Sequence, residues 1–143
     1  LRQFDGAAFG ILVFMKLRIH ADSIRLRLKQ SEVKALMEGR EVVETCPTLP
    51  VAMTYALRPD PGVSTLISHA DGTRLTLHVP AGWLAGWDTD ERVGFESTDG
   101  GIHLLIEKDW KCTNPSTPKD NEDCFENPVT CCAIRVTAPS YGK

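Results

Sequence analysis

The sequence predicts an α+β domain. The expected architecture is a mainly antiparallel curled sheet or partly open β-barrel of about 7–9 strands with one or two short helices. Three observations predict it. Apolar residues recur at every second position through most of the chain, helical spacing is confined to two short stretches, and Asp-Gly or Gly-Gly turns separate strand-like runs. Crossover helices are too few for an all-parallel sheet.

The elements run in order along the chain. In "KLRIHADSIRLRL", Leu17 and Ile19, then Ile24, Leu26 and Leu28, alternate with Lys16, Arg18, His20, Arg25 and Arg27, and Ala21-Asp22-Ser23 breaks the phase between two short strands. "SEVKALMEG" reads as a short amphipathic helix. Ser31 stands at the N-cap, Val33, Leu36 and Met37 fall on one face, and Gly39 occupies the left-handed stop position. "REVVET", "AMTYALR", "STLISH" and "TRLTLHV" are four more strands, the last two joined at Ala70-Asp71-Gly72. "PAGWLAGWDTDE" predicts a turn and short helix burying Trp83 and Trp87. "RVGFES" and "GIHLLIE" form a hairpin around "TDGG", and "VTCCAIRVTA" reads as a final strand.

Residues 1–14 differ in character from the rest of the chain. They read as an N-terminal extension, either disordered or forming an edge strand through Ile11–Phe14, ahead of a single α+β domain over 15–143 with a polar loop at 110–128. The longest apolar run, Ala7 to Met15, is too short to span a bilayer and lacks a signal peptide's basic flank, so a cytoplasmic protein is expected. A net charge of −3 argues against a nucleic-acid protein. The 5 cysteines, odd in number and without an export signal, are expected to be mostly reduced.

"MKLRIHADSIRLRLKQSEV", "IEKDWKC" and the later pattern Glu122, Asp123, Phe125, Asn127, Pro128 together resemble a small bacterial family known only as a domain of unknown function. The resemblance covers about residues 15 to 128. It implies a bacterial, single-domain, cytosolic protein and transfers no catalytic residue, cofactor or substrate.

Chemistry is therefore sought in the residues themselves. No phosphate-binding loop, dinucleotide fingerprint, serine elbow or zinc-protease motif occurs, and neither a cofactor nor a metal is expected. Arg18, Arg25, Arg27, Arg74, His78 and His103 share the polar phase of their strands, and Arg58 is a further candidate. If these strands are neighbours, they form a basic sheet face whose guanidinium forks suit an anionic small molecule or an acidic partner. The plain alternative is a solvated sheet face neutralised by Glu41, Glu44 and Glu107. A second candidate lies at the anchors of the polar loop, Glu107, Asp109, Cys112, Asp123 and Cys124, as a metal- or thiol-dependent enzyme site. The spacing of Cys112 and Cys124 is wrong for an ordinary zinc site; a disulfide between them, or a plain solvated loop, also fits. A third reading is a structural protein forming a homodimer through Trp83, Trp87 or an exposed edge strand.

Overall fold

The computed structural model describes residues 15–47, 51–111 and 123–126. They form strands β1 (Lys16–His20) and β2 (Ser23–Leu28), helix α1 (Gln30–Met37), strands β3 (Val42–Cys46), β4 (Met53–Asp60), β5 (Ile67–Asp71) and β6 (Arg74–Pro80), a 3₁₀ turn (Ala81–Leu84), and strands β7 (Gly94–Asp99) and β8 (Ile102–Lys108). The expected order of elements is reproduced throughout this region. Residues 1–14 and the expected strand in 129–138 lie outside the described residues.

The strands make two four-stranded sheets, ordered β1-β2-β8-β7 and β3-β4-β6-β5. Each is a pair of antiparallel hairpins joined by a central parallel ladder, β2 with β8 and β4 with β6. The fold is α+β and mainly antiparallel, as expected, but the two central ladders make both sheets mixed. Neither parallel connection is a simple helical crossover. β5 itself bridges β4 to β6, and the whole second sheet lies between β2 and β8 in the chain. The barrel stays open: β5 and β7 approach edge to edge through side chains, with the Ser68 amide donating to Asp99 Oδ2 at 2.8 Å.

Period-two alternation fixes which face is buried. Ile24, Leu26, Leu28, Leu104 and Ile106 of the first sheet meet Val42, Leu57, Leu77 and Val79 of the second in one core, which Val33 and Leu36 of α1 join. The tryptophans complete it. Trp87 is fully buried, and Trp83 and Trp87 pack on Phe95 with ring centroids 5.4 and 4.8 Å away. The expected helix around them is a 3₁₀ turn, ended by Gly86 at φ +74. Arg92 holds this loop by donating to the carbonyls of Trp83 and Ala85, each at 2.7 Å.

Helix α1 ends as the sequence predicts and begins otherwise. Gly39 (φ +86) supports a Schellman closure, with the Gly39 amide on the Leu36 carbonyl and the Arg40 amide on that of Ala35. The N-cap is Lys29, not Ser31. Glu32 Oε1 accepts the Lys29 amide at 2.8 Å, while the Gln30 and Ser31 amides are taken by the carbonyl and carboxylate of Asp123. With an acceptor supplied from a distant segment, the helix starts earlier than local capping rules require. Among the described residues, no helix is long and apolar enough to cross a membrane.

Candidate functional site

The six basic candidates fall on two different sheets. On the outer face of the first sheet, register aligns three rows: His20–Ser23–His103–Thr98, Arg18–Arg25–Leu105–Glu96, and Lys16–Arg27–Glu107–Gly94. Arg74 and His78 occupy the outer face of the second sheet, across the shared core. A single basic face is therefore corrected to two. The cause is topological: β6 pairs with β4 and β5, never with β2 or β8.

On the first sheet, Arg27 Nε and Arg25 Nη1 both approach Glu107 Oε2, at 2.9 and 3.5 Å. Glu107 is buried, so this carboxylate neutralises part of the row as expected. His103 Nε2 lies 3.1 Å from Glu96 Oε1. Arg18 differs from both. It is exposed, sits directly opposite Arg25, and makes no salt bridge among the described residues. Arg18, His20, Ser23 and Arg25 line an open concavity of about 200 Å³.

On the second sheet, a charged row (Arg58–His78) and another (Arg74–Asp71) flank a floor made by the buried residues Ala56 and Thr76. The resulting concavity of about 250 Å³ is also lined by Glu41 and His69. Arg74 Nη2 donates to Glu41 at 2.9 Å, and His78 Nδ1 lies 3.1 Å from Asp60 Oδ2. The Gly62 amide, with lesser help from His78 and Arg58, holds the Asp60 carboxyl below the usual carboxylate range. Asp60 and His69 were not singled out by the sequence pattern. Asp60 is the turn residue of "PDPG", and nothing local marks it as a histidine partner.

The loop anchors converge at the end of the first sheet. Phe125 accepts the Lys111 amide and donates its own to the Asp109 carbonyl, and Trp110 and Phe125 form a parallel bridge. Asp109 Oδ2 lies 3.2 Å from Lys16 Nζ and 3.5 Å from Lys29 Nζ, and Lys29 Nζ donates to Cys124 Sγ at 3.2 Å. Burial opposes the charge on Lys29, but contacts to Cys124 and Asp109 outweigh it and raise its pKa. Burial pushes the Cys124 thiol above its ordinary value. A fully buried, protonated thiol is a weak nucleophile, so the assembled Lys29–Asp109–Cys124 group serves packing and anchoring better than thiol chemistry. Cys112 lies outside the described residues, and with it the question of a Cys112–Cys124 pair. No group of three or more His, Cys, Asp or Glu side chains among the described residues is placed to hold a metal.

Lys108 has no counterpart among the sequence candidates. It points inward at the end of β8, fully buried, donating to the Asp90 carbonyl at 2.7 Å and facing the rings of Phe125 and Trp110 at 5.0 and 5.6 Å. Burial lowers its pKa. Glu107, Lys108 and Asp109 thus take three different surroundings: an arginine pair, an aromatic pair and a lysine pair.

The chain is a two-sheet α+β domain with a cationic concavity on one outer face and a mixed-charge concavity on the other. The chain belongs to a family of unknown function, DUF7009, which matches residues 15–129. No curated protein matches it.

Proposed function

We propose that this domain is a cytoplasmic binding module for a small anionic molecule bearing phosphate or carboxylate groups, received on the outer face of the first sheet between Arg18 and Arg25. One observation carries the reading. Arg18 and Arg25 are in-register cross-strand neighbours, and like charges placed so are destabilising. Arg25 is partly offset by Glu107, whereas Arg18 makes no salt bridge among the described residues. An anion seated between the two guanidiniums relieves that repulsion through charge-assisted hydrogen bonds. His20 and Ser23 at the rim add polar contacts. The small volume and the net charge of −3 favour a compact anion over a nucleic acid.

Isothermal titration with pyrophosphate and with a nucleoside triphosphate tests this. The Arg18→Ala/Arg25→Ala variant is expected to lose affinity by about tenfold or more. Arg27 is left in place because it holds the buried Glu107 carboxylate. Equal binding by the wild type and the double variant overturns the reading.

A further inference from the structure

The concavity on the second sheet has a property that the first lacks: its charge changes sign with the protonation of histidine. Arg58 and Arg74 line it with two carboxylates, Glu41 and Asp71, and a third carboxylate, Asp60, adjoins it through His78. With His69 and His78 neutral, the carboxylates exceed the cations by one. With both imidazoles protonated, the cations exceed the carboxylates by one. Histidine is the side chain that makes this change near neutral pH.

The geometry also says where an anion goes. Arg74 is held by Glu41 at 2.9 Å and lies in register with Asp71, so its charge is already answered. Asp60 is engaged through both oxygens, with Oδ1 on the Gly62 amide at 2.7 Å and Oδ2 on His78 Nδ1. That contact fixes the imidazole and leaves Nε2 as the nitrogen without a hydrogen-bond partner among the described residues. Arg58 stands next to His78 in the ladder, is exposed, and makes no salt bridge among the described residues. The buried pair Ala56 and Thr76 occupies the row between Arg58–His78 and Arg74–Asp71.

We propose that this concavity is a proton-gated site for a small oxyanion, a sulfate or a phosphate ester, bound by the Arg58 guanidinium and by the imidazolium of His78 through Nε2. Asp60 is the positioning residue. The site shares no residue with the Arg18–Arg25 concavity, so either can fail without the other.

Sulfate is the probe of choice because its charge is constant across the relevant range, so any pH dependence belongs to the protein. Sulfate affinity is expected to fall about tenfold or more from about pH 6 to about pH 8. The same dependence is expected in the Arg18→Ala/Arg25→Ala background. It should shrink in His78→Gln and vanish in His69→Gln/His78→Gln, and Arg58→Ala should weaken binding at both pH values. Ring-nitrogen NMR of the wild-type protein provides a readout independent of any variant's folding: sulfate should shift the His78 Nε2 resonance. An unshifted His78 ring at saturating sulfate, or a pH dependence as large in His78→Gln as in wild type, overturns the proposal. A phosphomonoester titrated in parallel identifies which oxyanion the site prefers.

Discussion

Asp123 Oδ2 accepts the Ser31 hydroxyl at 2.6 Å and the Ser31 amide at 3.1 Å, capping helix α1 from 92 residues away. The neighbouring Asp123 carbonyl takes the Gln30 amide at 2.9 Å, and the Cys124 carbonyl takes the Gln30 side chain at 2.6 Å. Asp123 also holds φ +58, a conformation that Asn and Asp tolerate better than most residues. Asp123→Ala is therefore expected to cost about 1–2 kcal/mol in chemical denaturation. Asp123→Asn, which keeps an acceptor and tolerates the backbone, should lie much closer to wild type. An Asp123→Ala variant as stable as wild type would show that the cap contributes nothing.

Glu32 makes the same helix start sensitive to pH. Burial raises its pKa from 4.5 to about 7, opposed by the Lys29 amide and reinforced by Glu44 and Asp123. The folded protein therefore prefers the neutral acid. The associated stability is fully present below the unfolded-state value near 4.5 and is lost as pH rises through about 7. The penalty at alkaline pH is on the order of 3 kcal/mol, from the size of that shift. Denaturation across this window should show wild type losing stability relative to Glu32→Gln as pH rises. Parallel pH profiles for the two proteins count against the assignment.

Much of the fold was legible because it rests on local signals. Alternation in "SIRLRL" gives the buried face of β2, Asp71-Gly72 gives the β5–β6 hairpin, and Gly39 gives the helix stop. The order of strands within the sheets was not legible, since no local signal says that β2 lies beside β8. That pairing decides the site: it splits Arg74 and His78 from Arg18 and Arg25, and it brings Glu107 to Arg27. Asp123 was visible as part of a motif, but its role needs a contact across most of the chain. Lys108 illustrates the opposite failure. Between Glu107 and Asp109 it reads as one more surface charge, yet strand parity sends it inward beside Leu28.

Gly94 on β7 packs directly against the β8 backbone. A Cβ there would lie 2.0 Å from the Ile106 carbonyl oxygen and 2.8 Å from Glu107 Cα. Both are backbone atoms, so no side-chain rotation relieves the clash. Gly94→Ala should destabilise the domain by at least about 2 kcal/mol and loosen the support under Glu107. Thermal unfolding indistinguishable from wild type contradicts it.

Lys108 tests how much the buried charge itself matters. Its side chain is fully buried and its ammonium, though it faces the Phe125 and Trp110 rings, is penalised by burial. Lys108→Met keeps the volume and removes the charge, and should remain within about 1 kcal/mol of wild type. Lys108→Ala leaves a cavity and should lose about 2–4 kcal/mol. A Met variant as damaged as the Ala variant would mean that the bond to the Asp90 carbonyl dominates.

The Arg18–Arg25 pair yields a test of the proposed function that needs no ligand. If the two guanidiniums are held in register for an anion, the unliganded protein bears their repulsion. Arg18→Thr removes one charge and places a β-branched residue on a strand that favours it. The variant should therefore be more stable than wild type by about 0.2–1 kcal/mol in low salt. The gain should shrink as added salt screens the pair. Pyrophosphate should then stabilise wild type and leave Arg18→Thr nearly unmoved, since only a state that binds ligand gains from it. A variant less stable than wild type in low salt would mean that Arg18 serves the fold, and the proposed site would lose its physical basis.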